Sequence, residues 1–376
     1  MAELRDIIGQ EQAISRLGRY LRSGMMPHAM LFAGPAGVGR RTTAVALARM
    51  LLCEGREDES VPFETKASCG KCEACRMMTA GSHPDFHLIY KELARYHEDP
   101  KVRSRVMQDL GIPVIRSFLI APASRSAARG RGKVFVVLEA ELLSIPAQNA
   151  LLKTLEEPPE GTTIILVCSK PDRLLATTLS RCAMLRFSLL PHEFVSDKLK
   201  EAGVEEAEAR FWAAFTDGSI GRGLSLARQG MYELKRTFVD ALAAQPPGGD
   251  SSLSEQMHNA AEKLAKKETA EVKKADDGAE MSKELASRRA IGAMLELIAS
   301  AYRDAMALAA GADRPLVNND QRPAVEAIAA IFRPEQIAEI IQSLSRSEQL
   351  LWRNANRKIV WDNVVISCAT ATPLEV

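Results

Sequence analysis

The chain has 376 residues, 46% of them hydrophobic and 26% charged, enough to bury a sizeable core divided into two or three domains. A formal net charge of +1 excludes a protein that grips nucleic acid by bulk electrostatics alone, because such a grip neutralises many phosphates at once. No apolar run reaches the roughly 18 residues of a membrane span, and Met1-Ala-Glu-Leu-Arg-Asp6 lacks the pattern of a signal peptide, so a cytoplasmic protein with no membrane contact is expected.

From Ile8 to about Leu190, short β-rich runs alternate with helical stretches, the pattern of a parallel sheet covered by helices. Strands are expected at Ala29 to Ala33, Asp85 to Tyr90, Lys133 to Leu138, Thr162 to Cys168 and Ala183 to Phe187. The first is followed by Gly34-Pro-Ala-Gly-Val-Gly-Arg-Arg-Thr-Thr43, close to the phosphate-binding pattern GxxxxGK[ST]. Gly34, Gly37 and Gly39 let backbone N–H groups converge on an anion at the N-terminus of the next helix. Arg40 stands where the pattern has lysine, a planar fork in place of a compact ammonium. Arg41 stands where the metal-binding hydroxyl belongs, and a guanidinium has no oxygen to offer Mg²⁺. Thr42 comes one residue late.

Cys69-Gly-Lys-Cys-Glu-Ala-Cys75 places three thiols at CxxCxxC spacing, with Cys53 upstream at the end of the loop's helix. Reduced thiols in this pattern suit a closed, tetrahedral structural zinc site, with His83 as the alternative to Cys53 for the fourth ligand. Cys168, Cys182 and Cys368 lie in apolar surroundings and read as small core residues. Arg125-Ser-Ala-Ala-Arg-Gly-Arg-Gly-Lys133 is a local basic loop. It reads more simply as a solvated hairpin than as a DNA phosphate contact through Arg125 or Arg129. The strand after it ends at Leu138, where a metal-binding Asp is needed, followed by Glu139, a weak candidate for positioning water. Two metal contacts are missing together, which predicts a nucleotide-binding shape without efficient hydrolysis and leaves ATP binding itself open.

After Pro191 strand signals stop, and Glu205 to Phe215 and Gly221 to Gln229 carry apolar residues at helical spacing, predicting a small helical domain that ends near Ala244. Gln245-Pro-Pro-Gly-Gly-Asp-Ser-Ser252 reads as a linker. Glu262 to Asp277, rich in Lys, Glu and alanine, reads as a solvated helix or a partly disordered insert without assigned function. From Lys283 onward amphipathic helical patterns return, broken at Arg314-Pro and Arg333-Pro.

Ile8-Gly-Gln-Glu11, Pro27-His-Ala29, the altered loop, Asn149-Ala-Leu-Leu-Lys-Thr-Leu-Glu-Glu-Pro-Pro159, Pro171-Asp-Arg-Leu-Leu175 and Leu179-Ser-Arg-Cys182 occur in that order. Over roughly residues 5 to 230 the chain thereby resembles bacterial clamp-loader subunits of the AAA+ class. The resemblance implies an α/β fold: an AAA+ domain with a P-loop-type parallel sheet over residues 1–190 and an inserted zinc module at about 53–80. A helical lid domain at 191–244, a linker and charged insert at 245–282, and a helical C-terminal collar for oligomerisation at 283–376 would follow. The family carries four cysteines in the module, which supports Cys53 beside Cys69, Cys72 and Cys75 as the ligands of a structural zinc.

The resemblance also gives Arg181 of Ser180-Arg-Cys182 the role of an arginine finger, reaching the ATP site of a neighbouring subunit. An arginine supplied in this way is worth ~10³ to 10⁵ in rate in other phosphoryl-transfer systems. ATP-hydrolysing siblings of the gamma or tau type carry GK[ST] and an Asp-Glu pair, from which this chain departs at Arg40, Arg41 and Leu138. It also departs at Gly221, where those siblings carry an arginine that senses the γ phosphate; Arg222 is one step off. The expected protein is a non-hydrolysing clamp-loader subunit whose partners are gamma or tau and delta-type subunits, with the sliding clamp and primed DNA engaged through the complex. An ATP-hydrolysing clamp-loader subunit and a zinc-dependent nucleic-acid-binding module are the alternatives.

Overall fold

In the computed structural model, which describes residues 3–55, 68–103, 109–244, 251–275, 283–352 and 355–370, the five expected strands all pair in parallel. They are β1 (Ala29–Ala33), β2 (Phe86–Ile89), β3 (Lys133–Val137), β4 (Thr162–Cys168) and β5 (Ala183–Arg186), in the order β2-β3-β4-β1-β5. Ala29 lies opposite Ile164, Met30 opposite Ala183, and Lys133 opposite Thr162.

Side chains of a strand alternate between faces, and a parallel sheet covered on both faces is apolar at every position. Leu31, Phe135, Val137, Ile164 and Leu166 accordingly point to one core, and Met30, Phe32, Val134, Val136 and Ile165 to the other. The second face is covered by α1 (Glu11–Ser23) and α2 (Arg40–Leu52), through Leu17, Ala44 and Leu47. A short helix, α3 (Glu73–Ala80), adds Met78 to that core. The first face is covered by α4 (Ile145–Glu156), through Ala147, Leu151 and Leu155. Each fully buried aliphatic side chain contributes about 1.5–3 kcal/mol. Ser144 caps α4 by accepting from the Ala147 amide at 3.3 Å, and a single turn, α5 (Ala176–Leu179), leads into β5.

The chain divides into two compact units, Met1–Pro191 and His192–Val376. The second is helical: α6 (His192–Glu201), α7 (Glu206–Phe215), α8 (Ile220–Gln229), α9 (Met231–Ala243), α10 (Ser251–Ala275), α11 (Lys283–Ala309), α12 (Arg322–Ile331), α13 (Pro334–Trp352) and α14 (Arg357–Thr370). Apart from Pro191, the segments expected as lid (191–244) and collar (283–376) domains lie within this one unit. Lys235 of α9 is fully buried and binds both oxygens of Asp320, at 2.7 and 2.8 Å, while its ammonium stands 4.0 Å from the centre of the Phe211 ring.

The stretch read as linker and charged insert differs most from expectation. Residues 245–250 and 276–282 lie outside the described residues, but 251–275 forms a packed helix. Leu253, Met257, Ala261, Leu264 and Ala265 are buried at helical spacing, and Glu262 binds Arg357 at 3.0 Å and the Ser287 hydroxyl at 2.9 Å. Of the charges in its described part, Lys263, Lys266 and Lys267 are exposed, and Glu262 and Glu268 pair with neighbouring helices.

Candidate functional site

The glycine loop leaves β1 at its C-terminal end and enters α2. Gly34 donates to the Cys168 carbonyl at 3.2 Å, and a Cβ at position 34 would stand 2.2 Å from the Phe187 carbonyl oxygen. Gly37 and Gly39 have φ of 76° and 99°, and Gly39 is the N-cap of α2, so the backbone keeps the turn that an anion-binding loop requires. Arg40 turns inward and is 8% exposed; burial pulls its guanidinium below the ordinary arginine value, against the opposing charge of Glu141. Arg41 and Thr42 are exposed, and the Thr43 hydroxyl donates to the Gly39 carbonyl at 2.9 Å. Position 41, where the pattern places a metal-binding hydroxyl, is a guanidinium with no oxygen to offer.

At the end of β3, Leu138 packs among the apolar residues of the α2 face. Glu139 adopts a left-handed backbone with φ of 48° and pairs with Lys91 at 3.5 Å. Glu141, not singled out in the sequence, accepts from the Ser169 amide at 3.0 Å and from the Ser169 hydroxyl.

Arg181 lies between α5 and β5. Its guanidinium binds Glu156, the last residue of α4, and donates to the Thr177 carbonyl at 2.8 Å, with 30% of the side chain exposed. Cys182 beside it packs against the core, and burial pushes its thiol up to about 12. Gln148 fixes the whole segment. Buried inside α4, it accepts from the Leu175 amide at 2.8 Å and the Thr178 hydroxyl at 3.3 Å, and donates to the Leu143 carbonyl at 3.0 Å. Gln148 did not stand out in the sequence, where the available signal was a polar residue at an inward position of an otherwise apolar helix face; Glu156 lies within the quoted Asn149–Pro159 motif, but its pairing with Arg181 was not read from it.

The sulfurs of Cys53, Cys69, Cys72 and Cys75 all lie within 4.8 Å of one another, and among the described residues they form the group able to hold a metal. Cys53 Sγ stands 3.6 Å from Cys75 Sγ and 3.9 Å from Cys72 Sγ. Four thiolates at ~2.3 Å from a tetrahedral zinc lie about 3.8 Å apart, so these residues fit that ion. Amides of Cys69, Cys72 and Cys75 each donate to a cluster sulfur at 3.2–3.4 Å, as turns around a metal do. Burial alone raises the Cys72 thiol, but backbone amides of Cys75, Gly55 and Glu54 outweigh it and bring the group down to about 6. A Cβ on Gly55 would stand 2.8 Å from Cys69 Sγ, which leaves glycine the residue that lets the chain close on the cluster. His83, the alternative ligand, lies outside the cluster; its Nδ1 accepts from the Asp85 amide at 3.1 Å.

The basic loop 125–133 is largely committed to holding this module. Arg129 binds Glu54 at 2.6 Å and Glu73 at 2.7 Å, each adjacent in sequence to a cysteine of the cluster. The amides of Ala128 and Arg129 donate to the buried Asp85 carboxylate at 2.7 and 2.9 Å, and Arg131 donates to the Glu54 carbonyl at 3.0 Å. Lys133 is buried and donates to the carbonyls of Pro122, Ala123 and Arg125. Arg125 remains exposed. In the helical unit, Gly221 sits in the first turn of α8, and Arg222 pairs with Glu296 and stacks 5.3 Å from the centre of the Phe215 ring.

The family described as DNA polymerase III, delta subunit, matches residues 9–191, and that described as DNA polymerase III, delta subunit, C terminal, matches residues 256–368. The DNA polymerase III subunit delta' of Pseudomonas aeruginosa is 36% identical over 244 residues, 64% of this chain and 67% of that protein. The Escherichia coli subunit delta' is 32% identical over 230 residues, 61% of this chain, and the match spans 63% of that protein's length. The Escherichia coli subunit tau is 33% identical over 230 residues, 60% of this chain and 32% of that protein. With the parallel sheet, the glycine loop and the cysteine cluster in place, the chain belongs to the DNA polymerase III delta' family.

Proposed function

We propose that the chain is a non-hydrolysing subunit of a DNA polymerase III clamp loader, which helps to place the sliding clamp on primed DNA and lends Arg181 to the ATP site of a neighbouring subunit. The observation that carries this reading is the contrast within one domain. The loop at 34–43 keeps its turn but has arginine, arginine and leucine at the lysine, hydroxyl and carboxylate positions, whereas Arg181 is held at the surface by Glu156 and the Thr177 carbonyl. A guanidinium stabilises charge on a transferring phosphoryl group without needing a metal of its own. The partner that fits is an ATP-hydrolysing subunit of the gamma or tau type, since relatives named tau match the same region, with a delta-type subunit completing the assembly. Cys53, Cys69, Cys72 and Cys75 would hold a zinc ion that closes the module and, with all four positions filled by protein, offers no site to water. The test is Arg181→Ala in the reconstituted assembly. ATP turnover and clamp loading should fall together, while the pure chain, wild type or variant, turns over no ATP.

A further inference from the structure

The cysteine module has a brace outside itself, at the start of the chain. The Glu3 carboxylate accepts from the Ser68 amide at 3.0 Å and the Ser68 hydroxyl at 2.7 Å, and it pairs with Arg49 of α2 at 3.1 Å. The side chains of Arg49 and Glu3 are 9% and 12% exposed, and Ser68 is buried. Removing one partner of a buried, hydrogen-bonded pair leaves the other charge uncompensated, so these groups hold one another in place. Ser68 directly precedes the first cysteine of the CxxCxxC run. Its amide points at Glu3, and the next amide, that of Cys69, donates to Cys53 Sγ at 3.2 Å. Arg49 lies against the same turn, since a Cβ on Gly70 would stand 3.8 Å from its Nη2. Glu3 therefore fixes the point from which Cys69 enters the cluster.

The carboxylate is itself held by a local turn. The Glu3 amide donates to the Asp6 carboxylate at 2.8 Å, its carbonyl accepts from the Asp6 amide at 3.0 Å, and Leu4 is buried in the core that includes Met78 of α3. Farther along, the Gln10 side chain donates to the Ser188 carbonyl at 2.8 Å and accepts from the Ser188 amide at 2.9 Å. Residue 10 is thus anchored away from the module, and the turn before it is anchored to the module. We propose that Glu3 is a positioning residue of the metal module, holding the Cys69 turn in its metal-binding shape, so that zinc occupancy and the order of residues 3–7 are linked. This rests on the reading of the four cysteines as a zinc site. Residues that orient metal ligands without touching the ion change metal affinity by about 10- to 100-fold, and such linkage is reciprocal.

Zinc transfer from the full-length, zinc-loaded chain to excess pyridylazoresorcinol tests one direction of the link. Glu3→Ala should release zinc roughly 10-fold faster than wild type, and Glu3→Gln, which keeps one acceptor oxygen but not the charge, should fall between them. Hydrogen exchange of the wild-type chain tests the other direction without any substitution. After zinc is removed with EDTA, the amides of Asp6 and Ile7, bonded to the Glu3 and Leu4 carbonyls, should exchange roughly 10-fold faster, while those of β1 stay unchanged. A wild-type chain that takes up no zinc would overturn both the zinc reading and this one. A zinc-loaded wild type with equal release from Glu3→Ala, or with unchanged exchange at Asp6 and Ile7 after zinc removal, would overturn this one alone.

Discussion

The glycine loop and the cysteine cluster sit at opposite ends of the same helix and have opposite fates. At the N-terminal end of α2 the backbone keeps an anion-binding turn while the side chains that would bring in Mg²⁺ are replaced by Arg41 and Leu138. At the C-terminal end Cys53 meets three more sulfurs within 4.8 Å, with amide donors and the Arg129 brace already in place. On the proposed reading, the fold retains the loop's turn for packing reasons without its metal-binding side chains, whereas the cysteine group keeps all four sulfurs together, because losing one would remove what holds the module closed.

The largest expected effect is on the cluster. Cys72→Ser should abolish stoichiometric zinc binding and lower the melting temperature by about 10 °C, since structural zinc contributes several kcal/mol to a domain and each kcal/mol shifts the melt by roughly 2–4 °C at this size. Zinc content measured by atomic absorption decides it, and retained zinc would break the contrast. Gly34→Ala comes next, at about 2–3 kcal/mol in denaturant unfolding, because its Cβ would meet the Phe187 carbonyl oxygen at 2.2 Å. A stability loss of that size shows that the loop's shape serves the fold.

A smaller change sharpens the other side. Arg40→Lys, Arg41→Ser and Leu138→Asp together restore an ammonium, a hydroxyl and a carboxylate, and should make ADP binding about 10-fold tighter with Mg²⁺ than without it. Equal affinity with and without the metal would mean that the loss reaches beyond these three side chains. His83→Ala should leave zinc content unchanged, since the ring lies outside the cluster.

Most of the first unit was legible because its signals are local. Each strand is a run of apolar residues bounded by glycine, proline or polar residues, and the cysteine spacing is readable in seven positions. The basic loop was not legible in the same way, because the acids that occupy Arg129 lie 56 and 75 residues away, a distance no window of sequence spans. The buried face of the helix 251–275, and its first turns before 262, were not legible for a different reason. Its buried face is spaced as Leu253, Met257, Ala261 and Leu264, sparse and partly alanine, and the prolines and glycines just before it drew the reading toward a linker. At the candidate site the residue identities were visible, but the unpaired Nη1 of Arg40 and the Glu156 partner of Arg181 depend on how α4, α5 and the ends of β3 and β4 come together.

The central claim is that this chain lends an arginine to a neighbour's ATP instead of hydrolysing its own. Steady-state ATP turnover by the assembly, reconstituted from its partner subunits with Arg181→Ala or wild-type chain on primed DNA and clamp, tests it most directly. A fall of ~10³ at the shared site, with the variant's own unfolding free energy within about 1 kcal/mol of wild type, is the predicted result. Unchanged turnover with Arg181→Ala, or Mg²⁺-dependent ATP hydrolysis by the pure wild-type chain, would contradict it.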